Sequence, residues 1–339
     1  SGIDAKATVV FLMNHRSNMD YILVSFLASE NTTLSYAVGE WAKIWPLRSL
    51  IKAMGAFFVR RNSGNPLYRK VLERYIHMAT QEGVCQAVFL EGGLSRDGNL
   101  REPRLGILDY MLREHDTYAD RDIIFIPVGL NYDRTLEDRT LLQSLDPNAP
   151  KRNRWYIIQT ISAFVWHNIQ LMFANRWQRF GFAGVHFGQP LSIRDYCHLN
   201  HVEFNRLETD QRFSKIQDLA CALMGKLNKI IPVLPIPLVA FVLLNSKKNI
   251  NHLEFFAKAH QCLQQLEQQG AIIAFPPRTR TFALQNALTM LAIRHIVNEN
   301  DGLIDITPGS EQILAYYANT VAPWLIETEP EIQINAGVK

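Results

Sequence analysis

The stretch VVFLMNHRSNMDYILVSFL, Val9 to Leu27, breaks an apolar run at Asn14-His15-Arg16-Ser17-Asn18 and resumes it directly behind Asp20. Thr8 to Met13 is short, β-branched and apolar, as an interior strand should be, and Met19 to Ala28 has the composition of a helix. Strand, polar loop, helix is the repeating unit of an α/β fold. Two readings of the loop stay open. In one, Ser17-Asn18-Met19-Asp20 is a capping box and His15 an ordinary loop residue. In the other, Asp20 lies in the first helical turn and holds one nitrogen of His15, so that the second nitrogen serves as a general base towards a hydroxyl.

Working outward, the same unit recurs. LSYAVGE (Leu34 to Glu40) reads as a strand followed by a helix through Trp41 to Ala53. GAFFVRR (Gly55 to Arg61) leads to a helix beyond Pro66 with Leu67, Val71, Tyr75 and Met78 on one side. QAVFLEGG (Gln86 to Gly93) and DIIFIPVGLNYD (Asp122 to Asp133) repeat the pattern, and GVHFGQPLSI (Gly184 to Ile193) reads as a late edge strand. These runs predict a mainly parallel or mixed central sheet flanked by helices, with functional residues beyond the strand ends. From Phe204 the pattern becomes largely helical, which divides the chain into an α/β catalytic domain over 1–203 and a helical region over 204–339, expected to be incomplete and packed on the catalytic domain.

The 339 residues are 47% hydrophobic and 20% charged, and 35 basic against 32 acidic side chains leave a net charge of +3, which makes no case for nucleic acid. Positive charge is concentrated locally, with Lys43, Arg48, Lys52, Arg60, Arg61, Arg69, Lys70 and Arg74 opposed only by Glu73. Four scattered cysteines suit a reducing compartment. The first residues lack a signal-peptide pattern, and the chain is expected to begin inside a longer protein or to follow an added scar. The most apolar window, IIPVLPIPLVAFVLL (Ile230 to Leu244), is interrupted by three prolines and reads first as a buried passage, second as a membrane-contacting surface.

Two arginine-bearing loops should share a sheet edge with His15. Arg61 closes one strand, and FLEGGLSRDGNLREPRLG (Phe89 to Gly106) carries Glu91, Gly92, Gly93, Ser95, Arg96, Arg101 and Arg104. Guanidinium forks and exposed amides suit a phosphate, with Arg61 and Arg96 the preferred contacts. Glu91 is open between orienting hydroxyls and pairing with an arginine. Neither nucleotide-binding glycine fingerprint occurs, no cofactor is expected, and His15 with Asp20 lacks a third metal ligand. His77 and His167 read as helix-surface or satisfied core residues.

NHRSNMD (Asn14 to Asp20), GAFFVRR (Gly55 to Arg61), FLEGGLSRDG (Phe89 to Gly98) and IPVGLNYDR (Ile126 to Arg134) together resemble, in order and spacing, the four blocks of the glycerol-3-phosphate acyltransferase family in its bacterial membrane-associated form. The resemblance implies the H-x4-D acyltransferase fold and transfer of an acyl group from acyl-CoA or acyl-carrier protein to the first hydroxyl of glycerol 3-phosphate, giving lysophosphatidate. It implies that His15 is the base and Asp20 its partner, that Arg61 and the Glu91 to Arg96 loop bind the acceptor, and that Pro127 and Tyr132 support the fourth block. The lipid product, the basic Lys43 to Arg74 region and the Ile230 to Leu244 run, with no long uninterrupted apolar segment, lead us to expect a peripheral or monotopic protein on the phospholipid surface of the cytoplasmic face of the inner or plasma membrane. Leu94 stands where the family's third block usually has arginine, so Arg96, Arg101 or Arg104 must replace that donor or the acceptor is held less tightly. Transfer to dihydroxyacetone phosphate, and a silent phospholipid-binding or acyltransferase-associated scaffold, are the competing readings.

Overall fold

The computed structural model describes residues 4–28, 35–39, 56–59, 64–143, 145 and 181–325. Strands β1 (Thr8–Met13), β2 (Ser35–Gly39), β3 (Ala56–Val59), β4 (Gln86–Val88) and β5 (Ile123–Tyr132) pair in parallel in the order β3-β2-β4-β1-β5. Two short strands, β6 (Ala183–Phe187) and β7 (Leu191–Ser192), run antiparallel along the outer side of β5. The single late strand expected over Gly184 to Ile193 is thus two, with Gly188, Gln189 and Pro190 between them. Pro127 tolerates its interior place because its carbonyl accepts from Gly188 N–H at 2.8 Å. Its nitrogen therefore faces that same outer side, and the ladder to β1 loses no donor.

Helices α1 (Asp20–Ala28), α2 (Pro66–Gln81) and α3 (Gly106–Leu112) follow strands as the alternation predicts, and the short α4 (Asp138–Gln143) lies beyond β5. Further on come α5 (Ile193–Asn200), which starts directly from β7, and α6 (Thr209–Asn228). One face of the sheet buries Val10, Leu12, Val88 and Phe125 against Ile76 of α2, Leu108 and Met111 of α3, and Ile216, Leu219 and Leu223 of α6. The other face buries Met13, Ala87, Val128 and Leu130 with Val24 of α1.

The side of α2 that carries Leu67, Val71, Tyr75 and Met78 points outward, these four being 47–72% exposed. The helix instead buries Ile76, His77 and Thr80. Hydrogen bonding explains the choice: Thr80 offers its carbonyl to Thr8 Oγ1 at 2.6 Å and its hydroxyl to Gln86 Nε2 at 3.0 Å, which ties α2 to β1 and β4.

Behind the sheet, α7 (Pro235–Leu244) is buried on every side and packs among α8 (His252–Gln268), α9 (Arg280–Ile293) and α10 (Glu311–Ala318), with the short α11 (Ala322–Leu325) at the end of the described chain. An apolar helix with no polar face is a core helix. The Ile230 to Leu244 run is therefore interior, and its second reading, as a membrane-contacting surface, is corrected. Among the described residues no helix is long and apolar enough to cross a membrane. The helical region also holds a small antiparallel sheet of β8 (Ile250–Asn251), β9 (Val297–Asn300) and β10 (Leu303–Ile306), which the sequence reading did not anticipate.

The chain returns from α6 to the sheet by pressing backbone on backbone. A Cβ at Gly129 of β5 would meet the Ile230 carbonyl oxygen at 2.3 Å. Gly129→Ala should therefore destabilise the fold by roughly 3 kcal/mol, the upper end of overpacking costs. Urea denaturation of the two proteins measures this.

Candidate functional site

The site grows out of a mismatch in strand length. β5 continues four residues, Gly129 to Tyr132, past the last rung it shares with β1, Met13 with Val128. Where β1 stops, the Asn14 side chain takes over its hydrogen bonds: Oδ1 accepts from Leu130 N–H at 2.7 Å and Nδ2 donates to Leu130 O at 2.8 Å. A carboxamide supplies both a donor and an acceptor, as a backbone unit does. The next five residues are thereby started from a fixed point.

His15 is buried, with its ring tilted against Phe89 at a centroid distance of 4.2 Å. Its Nδ1 lies 3.0 Å from Asp20 Oδ2. Because a carboxylate only accepts, Nδ1 carries the proton and the basic lone pair belongs to Nε2. Asp20 opens α1 and is fully buried. Its Oδ2 also accepts the backbone N–H groups of Arg16 and Ser17 at 2.7 and 3.0 Å, and its Oδ1 accepts from the Tyr132 hydroxyl at 2.7 Å. Burial and the neighbouring carboxylate push the Tyr132 phenol far above its ordinary value, so it stays a donor. The two readings of the loop are not alternatives. One oxygen of Asp20 both caps the helix through Ser17 N–H and orients the imidazole, while Ser17 Oγ takes the Met19 N–H at 3.1 Å.

The loop after β4 closes around the same residue. Glu91 Oε1 accepts from His15 N–H at 2.8 Å and its Oε2 from Arg101 N–H at 3.0 Å, while His15 O accepts from Ser95 N–H at 2.9 Å. Glu91 thus gives its oxygens to backbone amides rather than to an arginine side chain. Burial pushes its carboxyl up to about 7, against the opposing pull of the two amides and of Arg16 and Arg101. Ser95 Oγ braces its own loop, donating to Asn99 O at 2.7 Å and accepting from Gly98 N–H at 3.0 Å. Gly92 turns at φ 65° beneath the Arg104 stem, and Gly93 is buried. Arg96 and Arg104 are exposed, whereas Arg101 is half-buried with Nη1 3.4 Å from Leu94 O.

The structure therefore gathers His15, Asp20, Glu91, Ser95 and Tyr132 into one hydrogen-bonded group, with Arg96, Arg101 and Arg104 on the loop that clasps it. Pro127 stays within β5, behind this group. Arg61 lies outside the described residues, as do Lys43, Arg48, Lys52, Arg60 and His167. Among the described residues no three His, Cys, Asp or Glu side chains could hold a metal ion. Arg16, passed over in the sequence reading, is buried, donates from Nη1 to Gly98 O at 2.8 Å and lies 4.5 Å from the centre of the Tyr316 ring on α10. Glu137, also passed over, accepts from Ser17 Oγ and from both Asn18 nitrogens. Arg16 lies between His15 and Asp20, a signal in the sequence itself; Glu137 carries no local signal.

A parallel sheet whose first strand ends in a buried histidine–aspartate pair is the architecture of an acyltransferase domain, and the family described as Acyltransferase matches residues 2–131. The family described as Glycerol-3-phosphate acyltransferase C-terminal region matches residues 168–328. Similar proteins include the glycerol-3-phosphate acyltransferase of Pseudomonas fluorescens strain SBW25, 28% identical over 92% of this chain and 37% of its own length. That of Pseudomonas syringae pv. tomato is 32% identical over 71% of this chain and 29% of its own, and that of Xanthomonas campestris pv. campestris 26% identical over 92% and 36%. At the level of family, the chain matches the glycerol-3-phosphate acyltransferases. It spans about a third of the length of these relatives.

The buried Glu91 makes a prediction about stability and pH. Its folded value, about 7, stands above the 4.5 of an unperturbed carboxyl. The folded protein then binds the extra proton between those limits, so the contribution is fully present below pH 4.5 and is lost as pH rises through 7. Glu91→Gln removes the titration while keeping shape. The stability of wild type relative to E91Q should fall between about pH 5 and pH 7.5, as read by urea denaturation across that range.

Proposed function

We propose that this chain forms the catalytic part of a glycerol-3-phosphate O-acyltransferase, transferring a fatty acyl group from acyl-CoA or acyl-carrier protein to the sn-1 hydroxyl of glycerol 3-phosphate. The observation that carries the reading is the His15–Asp20 pair held at 3.0 Å beyond a parallel strand and clasped by an arginine-bearing loop. The names of the similar proteins and the four sequence blocks support the same acceptor.

In this reaction Nε2 of His15 takes the acceptor's hydroxyl proton as the oxygen attacks the thioester carbonyl. Asp20 stabilises the imidazolium that forms. The tetrahedral intermediate collapses with loss of the thiolate, which recovers the proton from His15, leaving lysophosphatidate and a free thiol. No acyl-enzyme is needed, because the substrate brings its own nucleophile. Arg96 and Arg61 bind the phosphate as charged forks, Arg61 being assigned from its place in the second block alone. Arg101 takes the part of the guanidinium absent at Leu94, since its Nη1 reaches that residue's carbonyl. Glu91 and Ser95 serve the acceptor pocket by shaping its wall. The protein works at the phospholipid surface on the cytoplasmic face of the membrane, where its product belongs.

Steady-state assays with one acyl-CoA against glycerol 3-phosphate, dihydroxyacetone phosphate and glycerol test this reading. Glycerol 3-phosphate should be preferred and glycerol nearly inert. His15→Ala should lower kcat by at least about 100-fold with the fold intact. Arg96→Ala should chiefly lower kcat/KM for the acceptor, and Leu94→Arg should raise it. Equal use of glycerol, or full turnover by folded H15A, would overturn the assignment; preference for dihydroxyacetone phosphate would change the acceptor.

A further inference from the structure

The loop between His15 and Asp20 is fastened on the side away from Glu91 by a residue outside the four sequence blocks. Glu137 precedes α4, and its Oε2 accepts from Ser17 Oγ at 2.8 Å. Its Oε1 accepts from Asn18 N–H at 3.1 Å and from Asn18 Nδ2 at 2.9 Å. These donors belong to the residues that carry the chain from base to partner. Movement of Ser17 or Asn18 would move the Ser17 N–H that Asp20 Oδ2 accepts, and with it the carboxylate that faces His15.

Glu137 is itself held from the C-terminal helices. The next residue, Asp138, is buried, and its Oδ2 accepts from the Tyr317 hydroxyl and from Arg294 Nη2, each at 2.5 Å. Tyr317 O also accepts from Thr320 Oγ1 at 2.9 Å, and Tyr317 OH accepts from Thr135 N–H at 3.2 Å. Its neighbour Tyr316 meets it edge to face and covers the Arg16 guanidinium. The adjacent tyrosines of α10 thus reach the loop by two routes, one through Arg16 and one through Asp138 and Glu137.

From this chain of contacts we infer that Glu137 is a positioning residue for the His15–Asp20 pair, held in place through Asp138 by Tyr317 of α10 and by Arg294, which follows α9. The inference rests on the acyl-transfer reading for its kinetic consequences and on the hydrogen bonds alone for its structural one. Glu137 is half-buried and its carboxylate is turned to the loop, so it acts on geometry rather than on either substrate.

Two measurements on the whole chain test it. Kinetically, Glu137→Ala should lower kcat by about 10- to 100-fold, the scale of a small misplacement of reacting groups, with KM for donor and acceptor within about twofold of wild type. Asn18→Asp should be impaired by like-charge contact with Glu137. The double variant N18D/E137Q, in which the introduced carboxamide donates to the introduced carboxylate, should recover part of that loss, a rescue that simple destabilisation does not predict. Independently of turnover, the downfield proton resonance of the His15 Nδ1–H, assigned by its absence from H15A, should shift or broaden in E137A while the melting temperature stays within a few degrees. Wild-type kcat and an unchanged resonance in E137A would overturn the inference, as would a defect confined to acceptor KM, which would make Glu137 a substrate contact. If E137A does not fold, the comparison of N18D with N18D/E137Q decides. A wild-type protein without acyl transfer would sink the functional reading, and the resonance would still decide the role of Glu137.

Discussion

A carboxylate taken wholly out of water must be surrounded by donors, and the four that Asp20 collects govern the shape of everything near it. Two are amides of its own loop, one is the imidazole and one is a phenol at the far end of β5. Loop, ring and strand end come from separate parts of the fold, so the charge is tolerable only when they are together. That requirement converts a stability problem into close placement of His15. The same oxygen that begins a helix also orients the ring, which is economical in residues and leaves little freedom for substitution.

The second constraint is the overshoot of β5. A strand longer than its neighbour exposes unpaired backbone groups, and here Asn14 satisfies them on one side while β6 covers the other. The exposed end becomes a shelf from which Tyr132 reaches Asp20. Asp133, one residue further, accepts from Phe182 N–H and from Ile236 N–H in the first turn of α7, and burial raises its carboxyl to about 6. One strand end therefore anchors both the polar loop and the most apolar helix among the described residues.

Much of this was legible in the sequence, and the failures have physical causes. β1, β4 and β5 announced themselves because buried parallel strands are continuous apolar runs, and the loops behind them held the residues that converge. The burial of α7 followed from its prolines and its lack of a polar face. Which side of α2 faces the sheet does not follow from its pattern: Thr80 accepts hydrogen bonds from Thr8 and Gln86 of the sheet, whereas the outward ridge holds larger apolar groups. β9 reads VNEN, polar and exposed, and gave no strand signal. Spacing leaves helix cap and partner of His15 as rival roles for Asp20, because it cannot show one oxygen accepting from several donors. Glu137 and Tyr316 act across long separations, and no local pattern marks such partners.

The contact of Tyr316 OH with the Arg16 carbonyl spans 300 positions of sequence. Nearby, a Cβ at Gly98 would meet the Tyr316 carbonyl oxygen at 1.9 Å, so α10 seats on the glycine-rich loop with no room to spare. On a ribosome adding about 5–20 residues per second, roughly 15–60 s separate the synthesis of Arg16 from that of Tyr316. During that interval the ring that covers Arg16 in the folded protein is not yet made. The surroundings of Arg16 are thus complete only when residues made 300 positions later have folded against them.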